Sequence, residues 1–269
     1  MANLEKDQLK GVILDMDGVL WKESQPLVDL PGVFQRLEEL NLRVIALTNN
    51  STRTPESYLK RLRGLGVKLE RWQVINSSEA AAEYLSERFP QGGPLFIVGE
   101  QGLHLALQER GFFHLEATPA DGDRILAVVA GMDRDLTYQK IDRAGVWIRA
   151  GKDFIGTNPD KTYPTPEGLS PGAGVVLAAI EAASGQRPQI MGKPRPEIYQ
   201  IALERLECEP HQVVMIGDRL ETDILGAQQM GIPTGLVLTG VTTREMIGSH
   251  TPAPDIIAED VAQLIQKLG

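Results

Sequence analysis

The sequence predicts an α/β protein, a doubly wound parallel sheet with a second α/β domain inserted into it. Three observations carry that prediction. The apolar runs "GVILD", "RVIALT", "VVMIG" and "TGLVL" are continuous rather than alternating, the pattern of strands buried on both faces of a parallel sheet. Amphipathic stretches of helical period separate them, so each strand returns through a crossover helix. A middle block with its own alternation is bracketed by the Gly- and Pro-rich stretches "FPQGGP" (89–94) and "SGQRP" (184–188).

Taken in order, "GVILD" is the first strand, and "PGVFQRLEELN" places Val33, Phe34, Leu37 and Leu40 on one helical face. "RVIALTNN" is the next strand. "TPESYLKRLRGLG" follows as a helix with Thr54 as N-cap, Pro55 at the first helical position and Gly66 beyond the end. In the middle block "PLFIVG", "RILAVVAGM" and "DFIGTNPD" read as strands, and "LHLALQERG", "TYQKIDRAGVWIRAG" and "GAGVVLAAIEAASG" as helices. The last part runs strand "PQIMG", helix "PEIYQIALERL", strand "VVMIG", helix "ETDILGAQQMG" and strand "TGLVLTG", then a short strand and helix in "DIIAEDVAQLIQKLG". The simplest partition has residues 1–80 and 186–269 forming one sheet and 81–185 inserted.

A chain of 269 residues, 42% hydrophobic, can bury a full core. Its net charge of −9 supplies no positive field to recruit nucleic acid or anionic lipid. An anionic substrate would need a local cation. The single cysteine, Cys208, excludes an internal disulfide and suits a reducing compartment. "MANLEKDQLK" has no apolar h-region, and no apolar run approaches membrane-spanning length. The expectation is a cytoplasmic protein with no membrane or nucleic-acid partner, in which the sequons "NNST" and "NSS" are coincidental.

In open α/β sheets, ligands bind outside the carboxyl ends of the strands. Asp15 and Asp17 follow the first strand, Thr48, Asn49 and Asn50 the second, Lys193 follows "PQIMG", and Asp218, with Asp223 five positions on, follows "VVMIG". Each alone is ordinary chemistry: D-x-D-G is a common turn, Thr48 a helix cap, Lys193 a solvated charge, and Asp218 and Asp223 caps of the helix between them. Their common position at strand ends is what points to a site. Several carboxylates together suit a hard divalent cation, and Mg²⁺ is the usual occupant beside phosphate. The Thr48 hydroxyl, backbone N–H groups and the Lys193 ammonium would then hold a phosphoryl group. No His or Cys cluster has zinc-ligand spacing.

"DMDGVLW", "LTNNS", "GKP" and "GDRLETDILGA" resemble the four signature motifs of the haloacid dehalogenase superfamily of aspartate-nucleophile phosphatases. "GVLW", "TNNS", "GTNPD", "GAGVVLAAIEAASG" and "GDRLETDI" are similar to its 4-nitrophenylphosphatase and NagD-type subfamily. The 33 positions from Asp15 to Thr48 leave no room for a folded cap, whereas the 145 from Thr48 to Lys193 are ample for one. The resemblance thus implies a C2-type α/β cap between the second and third motifs.

It also implies roles. Asp15 is the nucleophile and forms an aspartyl-phosphate; Asp17 is the general acid, then the general base. Mg²⁺ is held by the Asp15 carboxylate, the Asp17 backbone carbonyl and Asp218, with Asp223 acting through coordinated water. Thr48, Asn49, Asn50 and Lys193 bind the phosphoryl group. An acid at position 17 favours ester hydrolysis, since halide leaves without a proton. Substrate choice falls to the cap, where "GTNPD" offers Asn158 and Asp160 as contacts or forms a tight turn. Arg134, Lys140 and Arg143 contact an anionic leaving group or are solvated.

The substrate is expected among small phosphomonoesters: phosphoglycolate, nucleoside monophosphates, sugar phosphates, pyridoxal phosphate or 4-nitrophenyl phosphate. A homodimer through the cap is common among relatives. Two alternatives use similar chemistry, a phosphotransferase or mutase and a phospho-accepting receiver module. The second is disfavoured by the chain's length and the insertion.

"GLSPG" (168–172) matches G-x-S-x-G, but Pro171 lacks the N–H that a nucleophile elbow needs after its serine. "TYPTPEG" before it does not read as a strand, and the segment is assigned to the start of the following helix. The four histidines lie far apart in sequence and read as surface or core residues. Trp21 either lines the site entrance or packs beneath the loop.

Overall fold

In a computed structural model of the chain, which describes residues 6–118, 124–165, 167–248 and 251–269, the run "GVILD" is a central strand buried at every position. The N-terminal residues 1–5 and His250 lie outside the described residues. The chain divides into two units: residues 1–48, 55–75 and 193–269 form the first, residues 49–54 and 76–192 the second.

The first unit opens with β1 (Gly11–Asp15), a short hairpin of β2 (Trp21–Lys22) and β3 (Gln25–Pro26), helix α1 (Leu30–Glu39), β4 (Arg43–Thr48), α2 (Pro55–Gly64) and β5 (Val74–Asn76). Helix α1 buries Leu30, Val33 and Leu37 at helical spacing, with a proline in its first turn. Helix α2 starts at Pro55, as expected, and Gly66, two residues past its end, takes φ +83°, a conformation glycine adopts without steric cost.

The second unit continues with α3 (Ser77–Arg88), β6 (Gly93–Val98), α4 (Gln101–Glu109), β7 (Phe112–His114), β8 (Ala127–Ala130), α5 (Tyr138–Arg149), β9 (Asp153–Gly156), β10 (Thr162–Thr165), β11 (Gly168–Pro171), α6 (Ala173–Ser184) and β12 (Gln189–Ile190). Its five-stranded sheet has the order β12-β9-β8-β6-β7, and every pair in it is parallel. Asn76 and Thr137 cap α3 and α5 by accepting from the backbone N–H three residues on. A separate core of Phe96, Val128, Trp147, Phe154, Leu177 and Ile180, among others, fills this unit.

The first unit then resumes with α7 (Pro196–Leu206), β13 (Val213–Gly217), a π-helical turn (Leu220–Ile224), α8 (Leu225–Gln229), β14 (Thr234–Val237), α9 (Arg244–Ile247), β15 (Ile256–Ala258) and α10 (Val261–Gln266). Its six strands have the order β15-β14-β13-β1-β4-β5. The chain winds outward from β1 through β4 to β5 in one direction, and from β13 through β14 to β15 in the other. The winding therefore reverses between β1 and β13, which pair in parallel with Leu14 opposite Ile216. The fold is the expected doubly wound α/β architecture, and its switch point is where such sheets bind ligands. No helix among the described residues is long and apolar enough to cross a membrane.

Three local readings differ from the structure. "PQIMG" does not join the first unit's sheet: β12 pairs with β9 of the second. A two-residue strand carries too little pattern to say which parallel sheet it extends. Both Gly- and Pro-rich stretches lie inside the second unit, one running from the end of α3 into the start of β6 and the other from the last residue of α6 toward β12. "TYPTPEG" and "GLSPG" supply an antiparallel hairpin, with Tyr163 opposite Ser170, and α6 begins only at Ala173. Proline is tolerated here because a two-stranded ribbon is all edge.

Candidate active site

The aspartates of the first motif sit where β1 ends, beside the switch point. Asp15 is the last residue of β1, opposite Leu47 of β4, and Thr48, buried, follows at the end of that neighbouring strand. On the other side, β13 ends at Gly217 and delivers Asp218. The π-helical turn then brings Asp223 back, so that its Oδ2 accepts from the N–H groups of Asp218 (3.2 Å) and Arg219 (3.0 Å).

Lys193 joins these carboxylates although no strand of the first sheet delivers it. Its Nζ lies 2.6 Å from Asp15 Oδ1 and 2.7 Å from Asp223 Oδ1, with the side chain only 3% exposed. Asp15, Asp218 and Asp223 each offer an oxygen, all within 4.8 Å of one another. Four of the expected site residues therefore meet in one buried cluster of the first unit, with Asp17 two residues beyond Asp15.

The electrostatics of the cluster are out of balance. Fully ionised, three carboxylates against the one ammonium bonded to them would leave two excess negative charges in a buried cluster that water screens poorly. Burial pushes the Asp15 carboxyl well above its usual range, the Lys193 charge opposing and Asp223 and Asp218 adding to the rise. Asp218 is pushed up to about 6, first by burial and then by Asp223. Burial alone would lower the Lys193 ammonium, but Asp15 and Asp223 together hold it above the ordinary lysine value.

One divalent cation would cancel the excess. The residues present fit such an ion: the donors are all oxygens, as a hard cation requires, and Asp218 Oδ1 is buried with no hydrogen-bond partner among the described residues. Its other oxygen, Oδ2, accepts from the N–H of Val241 at 2.6 Å. A buried carboxylate oxygen left without a donor is costly unless something electropositive meets it.

Close packing fixes these carboxylates. A Cβ on Gly240 would lie 1.9 Å from Asp218 Oδ2, one on Gly217 2.2 Å from Asp223 Cβ, and one on Gly18 2.7 Å from Asp218 Cγ. Tyr199, buried in α7, donates its hydroxyl to the carbonyl of Thr222 at 2.7 Å, fastening the turn that carries Asp223; burial and the nearby carboxylates push that phenol up and keep it a donor. Sequence reasoning misses Gly240, Val241 and Tyr199. The glycine after "TGLVLT" is the one available signal, being another glycine at a strand end.

Asp17 is half-buried, and its Oδ1 accepts from Trp21 Nε1 at 2.9 Å. Of the two readings of Trp21, packing beneath the loop is the one observed: the residue is fully buried.

The remaining predicted residues belong to the second unit. Asn49 and Asn158 both donate their amides to Asp160 Oδ2, at 2.9 and 2.7 Å, and the Asn158 carbonyl oxygen accepts from Thr157 Oγ1. Asn50 Oδ1 accepts from the N–H and hydroxyl of Thr52, an Asx turn. The cations offered for substrate contact are paired with acids: Arg134 with Glu100, Lys140 with Asp133, Arg143 with Glu116. His104 and His114 stack edge to face, their rings 5.8 Å apart, and His114 bonds to Ile97 N and Glu116.

Residues 12–113 match the family described as haloacid dehalogenase-like hydrolase, and residues 190–264 a second one described as HAD-hydrolase-like. An acid sugar phosphatase of Staphylococcus aureus is 34% identical over 264 residues, 97% of this chain and 98% of that protein. The chain belongs to the haloacid dehalogenase-like hydrolases.

Solved structures agree. The 4-nitrophenylphosphatase of Thermotoga maritima superposes with a TM-score of 0.89 at 32% identity, covering 98% of this chain and 99% of that one. A glycerol phosphate phosphatase of Mycobacterium tuberculosis, solved in complex with magnesium, superposes with a TM-score of 0.86 at 31% identity, covering 96% of this chain and 77% of the other. This haloacid dehalogenase-like protein is an enzyme, a phosphoric monoester hydrolase of the NagD and 4-nitrophenylphosphatase type.

Proposed function

We propose that the protein hydrolyses small phosphomonoesters, sugar phosphates and glycerol phosphates foremost, through a phosphorylated Asp15 and with Mg²⁺ bound. The observation that carries this is the buried cluster in which Lys193 bridges Asp15 and Asp223 while an Asp218 oxygen has no hydrogen-bond partner among the described residues. Asp15, the backbone carbonyl of Asp17 and Asp218 would hold the cation, with Asp223 behind them. When bound, the ion neutralises the cluster and draws charge from the phosphoryl oxygens.

In the first displacement an Asp15 carboxylate oxygen bonds to phosphorus as the bond to the substrate's alcohol oxygen breaks. Asp17 gives its proton to that oxygen, and the alcohol leaves. In the second, water attacks phosphorus, Asp17 takes a proton from it, and the bond between phosphorus and Asp15 breaks. Inorganic phosphate departs and both carboxyl groups return to their starting states. Thr48 and the Lys193 ammonium stabilise the transferring oxygens, the principal protein contribution in phosphoryl transfer. Asn49 and Asn50 position the segment after Thr48, and the second unit, with Asn158 and Asp160, serves as the cap.

Hydrolysis is favoured over transfer because the relatives named above are phosphatases. The proposal of sugar or glycerol phosphates rests on two of those names.

Phosphate release from a panel of phosphomonoesters tests the reading. Sugar and glycerol phosphates should give higher kcat/KM than phosphoglycolate, pyridoxal phosphate or nucleoside monophosphates, with 4-nitrophenyl phosphate as chromogenic reference. EDTA should stop turnover and Mg²⁺ restore it. Activity that persists in chelator removes the cation from the mechanism, and a panel led by nucleotides removes the substrate class.

A further inference from the structure

We propose that Trp21 is a positioning residue for the proton given to the leaving group: its indole N–H holds one oxygen of Asp17, so that the other oxygen carries the proton. The inference rests on the assignment of Asp17 as general acid and base.

The contact has a fixed polarity. Trp21 Nε1 lies 2.9 Å from Asp17 Oδ1, and an indole nitrogen only donates. Oδ1 is therefore the acceptor. In a protonated carboxyl group the carbonyl oxygen accepts more strongly than the hydroxyl oxygen, so this contact favours Oδ1 as the carbonyl oxygen and places the proton on Oδ2. A carboxyl group without such an anchor can present its proton from either oxygen and turn about its own bond, and a misplacement of about 1 Å can cost roughly 10²-fold in rate.

Trp21 is held firmly enough to serve. Its ring stacks on Tyr58 with centroids 6.4 Å apart and planes 8° from parallel. The Arg61 guanidinium lies 4.0 Å over the same ring, and Arg61 also donates to the Glu23 carbonyl. The backbone closes the loop between acid and indole: Gly18 N–H donates to Trp21 O at 2.8 Å, and Leu20 N–H to Met16 O at 2.9 Å. Phenylalanine would fill most of this space. The added feature of tryptophan is one polar hydrogen, and the hydroxyl-free, fully buried ring directs it at the carboxyl group.

A purely structural indole would affect every substrate alike; a positioning one affects those whose leaving group needs a proton. The enzyme with Mg²⁺ is assayed on 4-nitrophenyl phosphate, whose phenolate leaves readily, and on its best alkyl phosphate, whose alkoxide does not. The quantity read is the ratio of the two kcat/KM values, which covers steps through the first phosphorus–oxygen cleavage and cancels the fraction of folded enzyme.

Trp21→Phe should raise the aryl-to-alkyl ratio about tenfold, and Asp17→Asn about a hundredfold or more. Site-specific replacement of Trp21 by benzothienylalanine, isosteric but without the N–H, should match Trp21→Phe and decides the matter if that variant folds poorly. A ratio unchanged in both Trp21 variants while Asp17→Asn shifts it overturns the positioning role. An unchanged ratio in Asp17→Asn overturns the acid assignment itself, and this inference with it.

Discussion

Asp15→Asn should abolish turnover, by roughly 10⁴-fold or more, in a protein at least as stable as the wild type when metal-free. The carboxamide cannot attack phosphorus, so no aspartyl-phosphate forms, and loss of a covalent nucleophile is among the largest single-residue effects in catalysis. The stability half follows from the cluster's charge. Removing one carboxylate relieves part of the excess that burial concentrates around Asp218 and Asp223. The carboxamide oxygen of the variant can still accept from Lys193, which keeps its ion pair with Asp223 at 2.7 Å. The measurements are single-turnover phosphate release and denaturant unfolding in EDTA. Turnover above about one per cent of wild type would disprove the assignment of the nucleophile; a marked loss of stability would show that the charge accounting is wrong.

Much of this site is legible in the sequence because a doubly wound sheet concentrates ligands at one set of strand ends. Asp15 and Asp218 follow continuous apolar strands, and continuous runs are the pattern a strand buried on both faces must have. Lys193 is legible through its motif, but not through the strand before it: β12 extends the second unit's sheet, and the chain then delivers the lysine from Gly192. Contacts made by backbone are not legible. Gly240 is required because Asp218 Oδ2 occupies the space of its Cβ, and Val241 contributes an N–H that any residue except proline carries. The β10–β11 hairpin escapes because its prolines contradict strand propensity, which a two-stranded ribbon does not enforce. Asn158 reads as a substrate contact or a turn residue; its amide is committed to Asp160 within the loop.

Lys193→Met should both silence the enzyme and destabilise it, and the destabilisation should depend on pH in a set direction. Methionine nearly preserves the volume and unbranched stem, so packing changes little. What disappears is the only cation bonded to Asp15 and Asp223 among the described ion pairs. Breaking a buried pair by removing one partner costs about 3–5 kcal/mol, because the remaining charges stay desolvated.

The direction with pH comes from the carboxylates. Asp15 and Asp218 are already raised above their unfolded values, and losing the ammonium raises them further. A carboxyl group raised by folding carries no penalty below its unfolded value, near 3.8 for both. Stability is then lost as pH climbs toward the folded value, at about 1.4 kcal/mol for each pH interval of one between the two. For Asp218 in the wild type that window runs from about 3.8 to about 6; in the variant it extends higher. The lysine itself stays charged throughout, since its own value is raised. The gap in unfolding free energy between wild type and Lys193→Met, measured by denaturant titration in EDTA, should therefore be small at pH 5 and widest at pH 8. Equal gaps at both pH values would mean that the three aspartates do not share an uncompensated charge, and the case for a divalent cation among them would lose its physical basis.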